Sequence, residues 1–221
     1  MSRLFFFVAL LVLPTSAFAY TVTSHEVVTP YEVLPLELDL SNRQIITGEL
    51  NGYPEMVEFT ISEELPLSVS IFGLPGSSTP DFGGIIVRVV EPRGVEEIAR
   101  IKAADATWEV IREPISKLNF LVGPEYFGTV APGTYRVEVS TPENYGKYLI
   151  VIGDTDSDAG YGATWRSVAA LYEFAEVTKL GMIRTSLVYV PLGIIVILLG
   201  IVYTVRRTRP ELFHLNNSPK K

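Results

Sequence analysis

The feature that most constrains this chain is an uninterrupted run of 21 uncharged residues, Thr185 to Val205. A helix rises about 1.5 Å per residue, so a helix of this length spans about 30 Å, the thickness of the hydrocarbon core of a bilayer. Tyr189 and Tyr203 lie near its two ends, where aromatic rings favour the headgroup region. A buried core helix is the alternative, but the lack of any charge favours a transmembrane helix over residues 185–205.

The charges after the apolar run and the pattern at the start of the chain predict how the protein is oriented in the membrane. Five basic residues and a single acid follow the apolar run, and short positive flanks stay on the cytoplasmic side. Residues 1–19 have the pattern of a signal peptide, with Arg3 before an apolar run at 4–13 and a small-residue cleavage site at 17–19. An uncleaved anchor is the alternative, but ten apolar residues are too few to cross a bilayer. We therefore expect a single-pass type I protein of the cell membrane, whose residues 206–221 form a short basic cytoplasmic tail.

The part expected outside the membrane, residues 20–184, is acidic and contains no cysteine. It carries 24 Asp and Glu against 12 Lys and Arg, a net charge of −12. Nucleic-acid binding needs a basic surface, so we expect no nucleic acid among its partners. The absence of cysteine excludes disulfide bonds, so the fold must depend on its apolar core. Divalent cations and basic partners stay compatible with this charge.

The pattern of residues 20–153 predicts strands. Apolar and polar residues alternate at 57–62, 67–72 and 134–140, and Gly or Pro residues separate the runs. At 147–152, Tyr148, Ile150 and Ile152 make one face and Leu149 and Val151 make the other. A period of two places one face of each strand on a core and the other in water. Short strands of this kind with no helices between them indicate an all-β fold, an antiparallel and jelly-roll-like β-sandwich.

Residues 154–184 have a different pattern, which we interpret as an acidic linker and a juxtamembrane helix. The helix is predicted from Thr164 to Leu180, because Trp165, Val168 and Tyr172 recur at a spacing of three or four residues. Its apolar stripe is expected to meet either the sandwich or the membrane surface, two alternatives that the spacing leaves open.

Two stretches resemble the bacterial pre-peptidase C-terminal domain, a β-sandwich family. The resemblance covers residues 45–152, about half of the chain. It consists of short strand motifs, several of which begin with a glycine that is followed by an alternating apolar or aromatic pattern. It implies a sandwich that serves as an appended module in contact with carbohydrate or protein. This chain departs from that setting, because no catalytic domain accompanies the module and an apolar run follows it. The matching positions are Gly48-Glu49-Leu50, Glu58 to Ile61, Leu67 to Ile71, Gly133 to Val137 and Gly146 to Ile150.

A possible metal site lies in the segment GDTDSDAG. Asp154, Asp156 and Asp158 occupy the first, third and fifth positions of a calcium loop. The sixth position is Ala159 and the twelfth is Trp165, where such a loop needs glycine and a bidentate glutamate. Calcium is therefore the one cofactor that the sequence suggests, and a solvated acidic linker is the alternative.

The sequence gives little support to catalysis, and we expect no enzyme. The histidines are His25, beside the expected mature start, and His214, in the tail. A serine triad would have to recruit His25, and one histidine without any cysteine is too few ligands for a zinc site. The adjacent pairs at 63–64 and 96–97 place their carboxylates on opposite faces of a strand. A glycosidase assembled from distant Asp and Glu is the catalytic alternative that remains.

Three aromatic residues are candidates for ligand binding: Trp108, Tyr126 and Phe127. Exposed aromatic rings form stacking platforms for sugars, whereas ordinary core packing is the alternative. Three hypotheses follow from the sequence. The first is a binding or assembly module that contacts another envelope or membrane protein, the second is carbohydrate recognition by these aromatic residues, and the third is a calcium-stabilised stalk.

Overall fold

The computed structural model describes residues 20–25, 29–37, 43–76, 80–92, 94–105, 107–154 and 160–208. The expected signal peptide at 1–19, the last part of the tail, and both Asp156 and Asp158 lie outside the described residues. The strands are β1 Thr21–Ser24, β2 Val33–Pro35, β3 Gln44–Asn51, β4 Glu55–Ile61, β5 Leu65–Gly73, β6 Gly83–Val90, β7 Gly94–Ile101, β8 Glu109–Arg112, β9 Asn119–Val130, β10 Gly133–Ser140 and β11 Tyr145–Ile152. The helices are α1 Gly160–Phe174 and α2 Ser186–Thr208, with short 3₁₀ segments at Ala103–Asp105 and Lys179–Arg184.

The strands form two sheets, which confirms the all-β class. One sheet has six strands in the order β1-β3-β11-β5-β9-β8, and the other has five in the order β2-β4-β10-β6-β7. Most pairs are antiparallel as expected, but β1 pairs with β3 in parallel and β2 pairs with β4 in parallel, so both sheets are mixed. The reason is topological. β1 and β3 are separated in the chain by β2, which lies in the other sheet, so the chain returns to its first sheet in the same direction.

The first core fills the space between the sheets, where the sequence predicted it. Residues of one parity are buried on β4 and β10, as Val57, Phe59 and Ile61 show for β4. The rings of Phe59 and Tyr135 stack with centroids 6.2 Å apart. Each large apolar side chain buried here contributes about 1.5–3 kcal/mol. Its other members include Leu67, Val69, Ile71, Ile86, Val137, Tyr148, Ile150 and Ile152.

A second core lies on the outer face of the six-stranded sheet, beneath α1 and the 3₁₀ segment Lys179–Arg184. It explains why β11 is buried on both faces, with Leu149 and Val151 turned outward. The helix begins four residues before the predicted Thr164 and ends six residues before the predicted Leu180. Its buried stripe is Thr164, Ser167, Val168, Leu171 and Tyr172, so Trp165, which was expected in the stripe, lies on the exposed side.

Helix α1 ends at Phe174 because the next turn is held in another conformation. Glu176 has a φ of 55°, and the Val177 amide donates to the Tyr172 carbonyl at 3.0 Å, a pattern that terminates helices. Lys147 on β11 donates to the Phe174 carbonyl at 3.3 Å and also forms an ion pair with Glu176. A cation at a helix C-terminus is favourable, since free carbonyls give that end a partial negative charge.

Helix α2 is long and apolar enough to cross a membrane. Its best window has a mean hydropathy of 2.5, and none of that window is buried inside the protein. A core helix of a soluble protein would be covered by other elements, whereas Leu192, Ile195, Val196 and Leu199 are exposed here. The helix extends three residues past the predicted end at Val205 and includes Arg206 and Arg207 in its last turn.

Candidate functional site

The outer face of the six-stranded sheet is only partly covered by α1, and a cavity of about 240 Å³ opens beside the covered part. Its floor consists of outward-facing apolar residues of the sheet, among them Ile45, Phe72, Phe120, Leu149 and Val151. Several of these residues also belong to the second core. The cavity is therefore continuous with the core that α1 covers.

The cavity exists because two strand positions carry small side chains. Ser68 and Ser70 on β5 line it, and their neighbours in register are Phe127 and Glu125 on β9. Successive side chains of a strand point to opposite faces, so the inward Leu67 and Val69 place both serines on the outer face of β5. The sequence therefore predicted that the serines contact water. Both serines are instead buried in the structure, because the paired strands β9 and β11 carry larger side chains beside them.

Charged residues line the cavity with an excess of carboxylates. Glu125 accepts a hydrogen bond from the Ser68 hydroxyl at 3.2 Å. Glu113 accepts from the backbone amides of Ile115, at 3.0 Å, and Ser116, and so holds the turn after β8. Arg43 donates to the Asp154 carbonyl at 3.4 Å. Three acids and one guanidinium therefore border the cavity, which favours a basic or hydroxylated group as its occupant.

Tyr20 places a hydroxyl group at the cavity wall. Its side chain is 1% exposed, and its hydroxyl lies near Glu113 and Ser116 but has no hydrogen-bond partner of good geometry among the residues that the structure describes. Burial raises the pKa of Tyr20, and the nearby charge of Glu113 raises it further. The hydroxyl therefore stays protonated and is able both to donate and to accept a hydrogen bond.

The structure separates the three aromatic candidates. Trp108 and Tyr126 are half-buried and pack against the first core, where their rings cover Gly123 and Gly128. Phe127 follows Tyr126 on β9, so it points to the opposite face, and it is 68% exposed. The three rings do not form one platform, and ligand binding by any of them stays a prediction. We call Ser68, Glu125, Phe127 and the adjoining cavity the cavity face.

The three aspartates of the acidic segment are only partly described. Asp154 borders the cavity, whereas Asp156 and Asp158 lie outside the described residues. The described part of the chain holds no group of three His, Cys, Asp or Glu that could bind a metal ion. Calcium binding stays a prediction, and it requires millimolar calcium to raise the melting temperature of the protein, since a ligand of the folded state stabilises that state.

A second polar site, which the sequence analysis missed, lies inside the sandwich. Glu55 is fully buried, and neither its carboxylate oxygens nor the Tyr148 hydroxyl has a hydrogen-bond partner of good geometry among the described residues. Both groups surround Gly48, whose missing side chain leaves the space that they fill. Burial raises the pKa of Glu55 to about 7, the Tyr148 hydroxyl opposes this, and Glu32 adds to it. The alternation of Val57, Phe59 and Ile61, extended back by two residues, would have placed Glu55 in the core.

The start of α2 is built into the second core. Leu187, in its first turn, is buried, and its carbonyl accepts a hydrogen bond from the Tyr161 hydroxyl at 2.6 Å. Thr185 is fully buried and donates through its hydroxyl to the Met182 carbonyl at 2.6 Å. Tyr172 of α1 donates to the Ser116 carbonyl at 2.9 Å and so ties the helix to the sheet. The sandwich, α1 and the first turn of α2 are therefore joined by packing as well as by the chain.

Comparisons with known proteins give similarity to solved structures alone. No protein-family model matches the chain, and no curated protein matches it. The pre-peptidase C-terminal domain of a collagenase from Bacillus anthracis matches with 13% identity and a TM-score of 0.36, over 57% of this chain and 96% of that one. PliG from Aeromonas hydrophila, a periplasmic inhibitor of g-type lysozyme, matches with 14% identity and a TM-score of 0.33, over 61% of this chain and 98% of that one. Similarities this low establish no family, so the family resemblance stays a prediction and the chain's own geometry carries the argument.

Proposed function

We propose that this chain is a non-catalytic binding module, anchored by one transmembrane helix, that contacts another protein of the cell envelope or membrane. The β-sandwich lies outside the cytoplasm, α2 crosses the bilayer, and the basic tail lies inside. The cavity face is the surface that meets the partner. No cofactor is needed for this role.

The observation that carries the proposal is the junction between the sandwich and α2. Met182, Thr185 and Leu187 are buried in the second core, so the apolar helix leaves the domain in a fixed direction. A domain on a flexible stalk loses orientational freedom when it binds, and that loss weakens binding. A fixed domain has less freedom to lose, which suits a module that presents one face to a partner in the same membrane.

The cavity face has the properties of a contact surface. Phe127 offers an exposed ring, Glu125 offers a carboxylate beside it, and the cavity offers space for a side chain. The net charge of −12 over residues 20–184 attracts a basic partner. We therefore expect the partner to insert a basic or hydroxylated side chain beside Glu125.

Crosslinking in cells tests the role of the junction. A Gly-Ser-Gly-Ser insertion between Arg184 and Thr185 frees the domain without removing the domain or the anchor. We expect recovery of the crosslinked partner, identified by mass spectrometry after detergent extraction, to fall several-fold. The same insertion after Lys221 is the matched control and should leave recovery unchanged. Recovery that is equal for the two insertions would show that a fixed junction is not needed.

Substitutions on the cavity face test the contact surface. Glu125→Lys and Phe127→Ala should each abolish the crosslink, because they reverse the charge or remove the ring that the partner meets. Val95→Ala is the matched control, since Val95 is also exposed but lies on the edge strand of the other sheet. Failure to recover any specific protein with the unaltered chain would contradict the proposed function.

Carbohydrate recognition is a second candidate, favoured by the exposed ring of Phe127 beside a cavity lined by hydroxyl and carboxylate groups. Sugars stack on exposed aromatic rings and bond to such groups. On a glycan array we expect Phe127→Ala to lose binding and Tyr145→Ala, an equally exposed aromatic on β11, to keep it. Binding that survives Phe127→Ala would remove this candidate.

A further inference from the structure

Besides Val177, four large apolar side chains remain exposed in the segment that leads into α2. Their exposed fractions are 51% for Tyr161, 38% for Trp165, 72% for Leu180 and 58% for Ile183. The rings of Tyr161 and Trp165 stack with centroids 6.5 Å apart and an angle of 25° between them. Leu180 and Ile183 lie three residues apart in a 3₁₀ segment, a spacing that puts them on the same side. We call these four side chains the root patch.

The root patch surrounds the point where α2 leaves the domain. The Tyr161 hydroxyl donates to the carbonyl of Leu187, the second residue of α2, at 2.6 Å. Ile183 precedes the first residue of α2 by three positions, and α1 contacts the 3₁₀ segment directly. The patch is therefore continuous with the apolar surface of the helix that we assign to the bilayer.

Basic residues accompany this patch in a domain that is otherwise acidic. Arg166, Lys179 and Arg184 are all exposed, and each is the sequence neighbour of a patch residue. Glu173 pairs with Lys179 itself at 3.4 Å, and Glu176 pairs with Lys147. The two arginines therefore carry the excess positive charge beside the patch. Exposed positive charge beside apolar side chains complements the anionic headgroups of a membrane.

We propose that the root patch lies in the lipid headgroup region around α2, so that the sandwich rests against the bilayer surface at a fixed tilt. Tyr161 and Trp165 form the aromatic belt on this side, since rings with an apolar body and a polar edge favour that depth. Leu180 and Ile183 reach the boundary with the acyl chains, and the two arginines contact phosphate groups. This inference rests on the proposed anchoring and adds an orientation to it. The occupant is lipid, and the test below separates lipid from water and from a second copy of the chain.

The chain has two tryptophans, which makes the test self-controlled. The full chain is inserted into vesicles of phosphatidylcholine and phosphatidylglycerol that carry bromine on the acyl chains near the headgroup. Trp108→Phe leaves Trp165 as the reporter in the root patch, and Trp165→Phe leaves Trp108, which packs on the first core. We expect brominated lipid to reduce the Trp165 fluorescence about twofold, as for an interfacial ring, and to leave the Trp108 fluorescence unchanged.

Two results would overturn the inference in distinguishable ways. If the chain resists alkaline carbonate extraction but Trp165 is quenched no more than Trp108, the anchor holds and the root patch does not lie in lipid; crosslinking in the same vesicles then separates a second copy of the chain from water. If carbonate extracts the chain, the proposed anchoring fails together with the inference. Should Trp108→Phe not fold, the difference between the unaltered chain and Trp165→Phe gives the same quantity. Leu180→Ser with Ile183→Ser should reduce the quenching of Trp165 while carbonate resistance is kept.

Discussion

Glu55 makes the stability of the sandwich depend on pH. Burial raises its pKa from 4.5 to about 7 in the folded state, beside Tyr148 and with Glu32 nearby. Well below pH 4.5 the group is neutral in both states and has no effect. As the pH rises to 7, the unfolded state ionises first, so the folded state loses stability, by about 3 kcal/mol once the pH exceeds 7.

Glu55→Gln removes this titration while it keeps the shape of the side chain. We expect the variant to match the unaltered chain near pH 4 and to exceed it by about 1–3 kcal/mol at pH 8. The measurement is urea unfolding of the full chain in detergent at both pH values. Glu49→Gln, which alters an exposed carboxyl on the preceding strand β3, is the matched control. A difference of equal size at pH 4 and pH 8 would mean that the charge of Glu55 is not the cause.

Gly48 is the residue whose lack of a side chain makes room for that buried pair. A Cβ atom at this position would meet the Tyr148 hydroxyl and the Glu55 carboxylate. We expect Gly48→Ala to lower the free energy of unfolding by about 1–3 kcal/mol, the usual cost of overpacking. Gly162→Ala is a matched control, because nothing lies near that position in α1 and alanine favours helices. Urea midpoints that move equally for both variants would refute this explanation.

The burial of single side chains could be predicted for the inward face of the strands but not for the outward face. The inward positions Val57, Phe59 and Ile61 were readable, because a period of two is a local signal. Ser68 and Ser70 were not, because their burial depends on the larger side chains that the paired strands place beside them. Glu55 shared the inward parity, yet a carboxyl group in a core contradicts the usual partition of charges and so was not assigned there.

At the scale of elements, α1 acts as the cover of the second core. Leu171 is fully buried between the helix and the six-stranded sheet. Leu171→Ala should cost about 2–5 kcal/mol of unfolding free energy, as buried leucines do when a cavity is left. Arg166→Ala on the exposed side should change it by less than about 0.5 kcal/mol. Urea unfolding of the full chain in detergent measures both, and a neutral Leu171→Ala would mean that the helix lies free of the sheet.

The helix was predictable as an element but its placement was not. The spacing of Val168 and Tyr172 was sufficient for a helix, whereas the choice between sandwich and membrane depended on a sheet face that is distant in sequence. In the structure the buried side of α1 covers the six-stranded sheet, whereas Trp165 lies on the exposed side. The cavity could not be predicted either, because it is the part of the same face that α1 leaves open.

At the scale of the whole molecule, the junction between sandwich and α2 couples two parts that the sequence presents as separate. The apolar run itself was readable from composition, since 21 residues without charge have few other uses. The burial of Met182, Thr185 and Leu187 adds that the run does not begin after a loose linker. The account therefore depends on one orientation, with the sandwich outside and the arginine-rich end inside.

The measurement that tests this orientation most directly uses the absence of cysteine in the chain. A single cysteine is introduced either at Val95, an exposed position on β7, or at Ser218 in the tail, and intact cells or spheroplasts are treated with a membrane-impermeant maleimide. The account predicts that Val95→Cys is labelled at once and that Ser218→Cys is labelled only after lysis. Labelling of Ser218→Cys in intact cells, with Val95→Cys protected, would reverse the topology and contradict the account.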